Sequence, residues 1–394
     1  MVKTLIEKKI KSLRSDTTLK EFDNNKLAEI EINKFFYNGK IIDRIMVVLR
    51  ANGCEHYKKT GGCSMCSHFN GTPIHKVTDQ NYINQWNSVL DGTAIERENF
   101  KFNIDDYPVL CLYNLGSLFN QNEISSNVIQ YIFASLNNYK NIKKIIIESR
   151  AEYITESAVN NIKDVYDGIV EVGIGVESTN KTIRELCHHK GINDLKIIKK
   201  SVNLLHKYGF KALAYVNFKP VFLTEKEAID DAIKTANDCF DMGFDAVSIE
   251  PTSLQDFSFA NYLYEMGQYR VPWLWSIEEI VKGIYKNTNN KSLDIRIGGY
   301  FDEEILSGSQ GVGFEGRNEV FPHMTSSNCH LCSNRYVEGI KNFNATYDIK
   351  YLTDIKKCPR CYPLWCDIIK ISDSRSIRQR IRDVFDRNNK DKEK

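Results

Sequence analysis

Three cysteines between positions 54 and 66, in the run Cys-Glu-His-Tyr-Lys-Lys-Thr-Gly-Gly-Cys-Ser-Met-Cys, have the spacing of ligands to a small inorganic centre. Cys54, Cys63 and Cys66 follow a C-x8-C-x2-C pattern. Gly61 and Gly62 stand just before the second cysteine and let the loop turn back, so that thiolates from both ends of the step can meet. A zinc site normally takes a fourth ligand from close by, and the nearest candidates are His56 and His68. Three thiolates without an obvious fourth suit a 4Fe–4S cluster that keeps one iron open. A three-cysteine zinc knuckle completed by a histidine is the competing reading.

A second group lies near the C-terminus. Cys329-His330-Leu331-Cys332 and Cys358-Pro359-Arg360-Cys361 form two C-x2-C knuckles with 25 residues between them, enough for four thiolates in tetrahedral reach. Cys366 is a spare ligand and His323 a substitute. Structural zinc is the expected occupant, and a second Fe–S cluster the alternative. Cys111, Cys187 and Cys239 fall in strand or helix patterns and read as buried apolar residues. Seven of the eleven cysteines thus sit in metal-type groupings, which points to a reducing, cytoplasmic setting and not to disulfides. The charged N-terminal pattern lacks the apolar core of a signal peptide, and no apolar run has the length of a membrane span. A formal net charge of +2 gives no global sign of nucleic-acid binding.

The elements that must position these residues alternate. Short apolar runs at 44–50, 109–114, 144–148, 170–175, 212–217, 246–250 and 293–298 read as strands apolar on both faces, as in a parallel sheet covered by helices. Helical patterns lie between them near 79–90, 123–137, 155–165, 182–186, 194–208 and 225–242. Six βα units in a row predict an α/β fold built on a partial parallel (β/α)6 barrel, with a small C-terminal metal-binding domain. The expected division is a helical extension over residues 1–40, the barrel over 41–300, and the metal-binding domain with a basic helix over 301–394. Leu5, Ile6, Ile10 and Leu13 form the apolar stripe of the extension. In such barrels the loops after the strands carry the chemistry, and the cysteine loop follows the first strand. Polar groups also end the later strands: Asn114-Leu115-Gly116-Ser117, Glu148-Ser149-Arg150, Gly175-Val176-Glu177, Asn217-Phe218-Lys219 and Glu250-Pro251-Thr252.

With Pro272-Trp273-Leu274-Trp275-Ser276, these motifs resemble those of the radical S-adenosylmethionine (SAM) superfamily, and within it the archaeosine-forming radical SAM enzymes related to the Elongator catalytic subunit. The resemblance covers roughly residues 40–300. It implies a radical-SAM barrel in which a reduced 4Fe–4S cluster splits SAM into methionine and a 5′-deoxyadenosyl radical. It also implies a tRNA substrate, a lysine adduct of a 7-cyano-7-deazaguanine nucleoside whose C–N bond is cleaved. Carried over residue by residue, Cys54, Cys63 and Cys66 match the cluster ligands. Met65 and His68 flank the last of them as cofactor contacts. Asn114, Gly116 and Ser117 match the motif that receives the SAM amino group. Arg150, with Glu148, matches a step whose guanidinium pairs with the SAM carboxylate. Glu177 matches a ribose-hydroxyl acceptor, and Lys219 and Glu250 are the candidate catalytic residues toward the substrate.

Implied partners are tRNA, an electron donor such as flavodoxin or ferredoxin, and a further tRNA-modifying protein, with no membrane. Residues 374–394 carry eight basic against four acidic side chains, and Arg375, Arg378 and Arg382 are expected on one helix face toward phosphates. Trp273 and Trp275 are expected to join the barrel to the C-terminal domain. A radical SAM enzyme acting on a peptide or small molecule, and a non-catalytic zinc-containing nucleic-acid-binding protein, are the alternatives.

Overall fold

Apolar runs such as Val109–Tyr113 and Lys144–Glu148 are buried along nearly their whole length, so they form strands covered on both sides. The computed structural model describes residues 2–15, 17, 20–95, 101–287, 293–300, 303–308 and 324–392. In chain order the strands are β1 (Glu29–Tyr37), β2 (Lys40–Val48), β3 (Val109–Tyr113), β4 (Lys144–Glu148), β5 (Ile169–Gly175), β6 (Lys211–Phe218), β7 (Ala246–Pro251), β8 (Asp294–Ile297) and β9 (Glu303–Gly308). They make one sheet in the order β8-β7-β6-β5-β4-β3-β2-β1-β9. Strands β2 to β8 are parallel, and β1 runs antiparallel to both β2 and β9. The sheet curls into a partial barrel with the parallel βα order expected, and its six crossovers from β2 to β8 carry the helices.

The helices are α1 (Val2–Ser15), α2 (Glu55–Thr60), α3 (Asp79–Leu90), α4 (Ser126–Leu136), α5 (Glu156–Lys163), α6 (Leu195–Lys207), α7 (Glu225–Asp241), α8 (Phe259–Glu265), α9 (Leu274–Asn287), α10 (Ser333–Thr346), α11 (Lys350–Thr353), α12 (Tyr362–Ile368) and α13 (Ile377–Lys392). Capping boxes start α3 at Thr78 and α7 at Thr224. A single π-turn, Ile183–Cys187, replaces a helix after β5.

Residues 29–37, read as part of a helical extension, instead form β1. Asn38 and Gly39, both with positive φ, turn it into β2 as a two-residue hairpin. Alternate residues of each strand face the barrel interior. Phe35, Cys111, Ile146, Leu213 and Ala246 belong to an apolar cluster there, distinct from the main core beneath the helices. Glu171 of β5 is buried in the same interior with Arg296 of β8, 2.7 Å away, and Lys144 of β4, 2.6 Å away.

The described C-terminal part packs on the barrel through Asn344 of α10, whose amide donates to the carbonyls of Ile297 and Tyr300. Trp275 of α9 is fully buried, edge-on to Tyr336 and Tyr362, and so joins the two parts as expected. Arg375 precedes α13 and is not on a shared helix face: it pairs with Asp373 and Asp383, while Arg380 is buried against Glu227. Arg378 and Arg382 are exposed. His323, residues 309–316 of the glycine-rich stretch and Lys394 lie outside the described residues, as do the side chains of Arg387, Lys390 and Lys392.

Candidate active site

The cysteine loop leaves β2 at the end of the barrel toward which the parallel strands run. Cys54 sits at the N-terminus of α2, and Gly61 ends that helix in the left-handed conformation. Beyond it the loop is fastened from several sides. Ser64 N–H donates to the His188 carbonyl at 2.9 Å, and its carbonyl accepts from Phe259 N–H. Ser67 N–H donates to Gln255 Oε1 at 2.9 Å. Arg14 of α1 donates to the carbonyls of Cys63 and Cys66.

Cys54, Cys63 and Cys66 all line one cavity of about 600 Å3 inside the barrel. Its walls alternate as the strands do: Glu29, Glu31 and Asn33 from β1; Arg44 and Met46 from β2; Leu213, Tyr215 and Asn217 from β6; Ser248 and Glu250 from β7. Among the described residues the three thiols do not form, with each other or with a histidine, a set of ligand atoms within 4.8 Å, as a single zinc ion would require. His56 is engaged elsewhere, through His189 O and Thr60. Burial pushes the Cys54 thiol up to about 12 and the Cys66 thiol up to about 11, so a bound cation is needed to draw off their protons.

The cavity carries charges of both signs. Burial raises the carboxyls of Glu148 and Glu250 to about 7, although Ser248 Oγ donates to Glu250 at 2.6 Å. Lys190 donates to Glu177 at 2.8 Å. Burial works against its ammonium, but Glu177 and Cys63 together outweigh that and hold its pKa above the ordinary value. His68 reaches into the cavity, and its enclosure by protein lowers its pKa.

The four C-terminal cysteines converge. Cys329–Cys332 and Cys329–Cys358 sulfurs lie 3.7 Å apart and Cys332–Cys361 3.4 Å, with all four sulfurs within 4.8 Å of one another. Trp275 Nε1 donates to Cys361 Sγ at 3.3 Å. The backbone N–H groups of Cys361 and Arg360 pull the Cys358 thiol down to about 6. Cys366 is not part of the group, and Cys111, Cys187 and Cys239 are buried singly, as expected.

No protein-family model matches the chain. An uncharacterized protein of Methanocaldococcus jannaschii is 33% identical over 362 residues, 90% of this chain and 92% of that protein. Archaeosine synthase subunit beta of Thermococcus kodakarensis is 28% identical over 334 residues, 84% of this chain and 93% of that protein. The chain thus belongs to one family with the Methanocaldococcus jannaschii protein and is similar over most of its length to archaeosine synthase subunit beta. Among solved structures, a radical SAM methyltransferase from Sphaerobacter thermophilus overlays with a TM-score of 0.45 at 10% identity, covering 74% of this chain and 77% of that one, a likeness too loose to argue from.

Of the site residues the sequence nominated, the cavity brings together Cys54, Cys63, Met65, Cys66, His68, Gly116, Glu148, Arg150, Glu177 and Glu250. Gly116 has no room for a side chain: a Cβ would lie 2.1 Å from the Glu123 carboxylate, which accepts from Ser117 N–H and Glu55 N–H. Asn114 and Ser117 stand behind the wall, fully buried. Ser117 Oγ accepts from Arg150 N–H, whereas both polar atoms of the Asn114 side chain have no partner among the described residues. Such a buried orphan is what a bound polar ligand satisfies. Arg150 already donates through Nε to Glu152 and through Nη2 to the Lys190 carbonyl.

Lys219 is not in the cavity. Its side chain pairs with Glu225, 2.7 Å distant and fully buried, and its backbone is left-handed, φ +60°. Leu115 (φ +55°) and Glu177 (φ +62°) have the same conformation just past β3 and β5, and both line the cavity. Sequence reasoning missed Lys190, Arg44, Glu29, Glu31 and Arg296. For Lys190 the run His188-His189-Lys190-Gly191 after the π-turn was an available signal.

Proposed function

We propose that the chain is a catalytic radical SAM enzyme of tRNA modification, performing the C–N bond cleavage that leaves the amidine of archaeosine. The observation that carries this reading is the placement of Cys54, Cys63 and Cys66 on one cavity with Glu148, Arg150, Glu177 and Glu250. The similarity of 84% of the chain to a protein named archaeosine synthase subunit beta supports the substrate.

Cys54, Cys63 and Cys66 would hold a 4Fe–4S cluster, which supplies one-electron reduction of SAM and hence hydrogen abstraction. The donor set fits it: three thiols that line one cavity and do not close around a single ion. Glu148 and Glu250, balanced near neutrality, can each accept from an ammonium or amidine N–H, or hold a proton at a carboxyl oxygen. The Lys190–Glu177 pair fixes the wall beside Gly175, where a Cβ would lie 2.2 Å from the Lys190 ammonium.

The C-terminal cysteines would hold one structural zinc ion. Zinc–sulfur bonds of ~2.3 Å place tetrahedral sulfurs about 3.8 Å apart, close to the 3.4–3.7 Å separations here, and a cluster spreads its thiolates wider. The relative's designation as a subunit supports a partner subunit, with tRNA as substrate and a flavodoxin or ferredoxin as electron donor.

Anaerobic reconstitution with iron and sulfide tests the reading. A brown protein that reductively cleaves SAM, and converts tRNA bearing the lysine adduct, is the expected result. Colourless protein with zinc at Cys54, Cys63 and Cys66 refutes it. SAM cleavage with no tRNA turnover, even with the partner subunit present, refutes the substrate alone.

A further inference from the structure

The helix that the sequence places at the periphery lies against the cysteine loop. Its buried face is Val2, Ile6, Ile10 and Arg14, four residues apart, so a guanidinium continues an apolar stripe. Arg14 is 5% exposed. Its Nη2 donates to the Cys63 carbonyl at 2.7 Å and the Cys66 carbonyl at 2.8 Å, gathering both ends of the C-x2-C turn onto one donor. The guanidinium lies 4.4 Å from the Phe69 ring and 5.6 Å from Tyr57, rings that stack on each other at 4.6 Å.

The loop is shaped to receive the helix. Gly62 has φ +82°, and a Cβ there would lie 2.7 Å from Arg14 Nη1; at Gly61 it would lie 3.0 Å from Ile10. From the other side, His189 Nδ1 is 2.8 Å from the Gly62 carbonyl. The Lys3–Glu185 pair at 2.6 Å ties α1 to the π-turn that leads to His189. The loop is thus held between α1 and residues 187–190.

We infer that Arg14 is a positioning residue for the centre on Cys54, Cys63 and Cys66: it fixes the Cys63–Cys66 turn and sets a permanent positive charge beside its thiolates. This rests on the cluster reading above. A guanidinium stays charged at every physiological pH, unlike a lysine or histidine in its place. A cluster gains one negative charge on reduction, and a fixed cation nearby favours the reduced state. Arg14 therefore raises the reduction potential as well as retaining the metal.

The test compares full-length wild type, Arg14→Gln and Arg14→Lys after anaerobic reconstitution. The readouts are iron loss to a ferrous chelator and the midpoint potential by EPR-monitored titration. Arg14→Gln should lose iron about tenfold faster, as expected for one lost hydrogen bond to a charged donor, and its potential should move to more negative values. Arg14→Lys should keep a potential near wild type while losing iron faster, because the shorter side chain leaves its ammonium short of the Nη2 position that holds both carbonyls. Wild-type loss rate and potential in Arg14→Gln overturn the inference. Faster loss at an unchanged potential also overturns it, since that assigns Arg14 to loop packing alone. Should Arg14→Gln not fold, Arg14→Lys decides: faster loss at a preserved potential supports the inference, and wild-type loss overturns it. Wild-type protein that takes up no iron overturns the cluster reading itself.

Discussion

Replacing Glu171 by glutamine removes the carboxylate that Lys144 and Arg296 share inside the barrel. Arg296, 3% exposed at its side chain, keeps Asp294 at 2.6 Å and loses one of its two carboxylates, whereas Lys144, 10% exposed, is left without its carboxylate where it cannot turn to water. Burial alone would raise the Glu171 carboxyl, but Arg296 and Lys144 outweigh it and hold it at about 2. Depression from an ordinary value of 4.5, at about 1.4 kcal/mol for each tenfold in proton affinity, gives about 3 kcal/mol. Breaking buried pairs by removing one partner costs a similar ~3–5 kcal/mol. The sign follows from the depressed pKa: the contribution is present above the ordinary carboxylate range and fades as pH falls through about 2. Urea unfolding of metal-loaded Glu171→Gln at neutral pH should therefore show a loss of about 3 kcal/mol, narrowing only in acid. Adding Lys144→Met should restore about 1–2 kcal/mol, because one stranded charge is gone. A loss below about 1 kcal/mol at neutral pH, or no recovery in the double variant, refutes the shared-carboxylate account.

The remaining expectations concern metals and protons. Cys63→Ala should abolish iron uptake at the cavity while leaving the metal on Cys329, Cys332, Cys358 and Cys361, measured by elemental analysis; wild-type iron content would remove Cys63 from the ligand set. Cys361→Ser should lose the C-terminal metal, lower the melting temperature by several degrees and change the fluorescence of Trp275, whose indole N–H donates to that sulfur, whereas Cys366→Ala should do none of these. Full metal retention in Cys361→Ser would contradict the four-thiolate site. Because Glu148 and Glu250 are raised to about 7, they gain charge as pH climbs through neutrality, and cationic SAM should bind more tightly at pH 8 than at pH 6. Titration calorimetry should show that slope halved in Glu148→Gln and absent when Glu250→Gln is added, and a flat wild-type profile would refute the assignment.

The parts of the fold read directly from the sequence were those whose burial is periodic and local. Lys144–Glu148 and Asp79–Leu90 begin and end where the apolar run and the helical pattern predict. Strand β1 was legible in principle, since Glu29-Ile30-Glu31-Ile32-Asn33 alternates and Asn38-Gly39 is a hairpin signal. It was passed over because its polar face reads as solvent-facing, when that face lines the cavity. The cysteines announced themselves by spacing. Arg14 could not, because its partners are backbone carbonyls 49 and 52 residues away and nothing local distinguishes it from a surface arginine. Lys219 misled because a strand-end position normally predicts direction, whereas its side chain turns to the buried Glu225.

Leu115 and Glu177 sit at the barrel rim in a conformation that costs a non-glycine residue about 1 kcal/mol. Glycine at either place would relieve that cost and delete a side chain facing the chamber. Directed evolution for heat resistance would thus be drawn first to the rim, and the hardiest clones should be among the least able to turn over. For an engineer the choice between durability and activity is already written at two backbone angles.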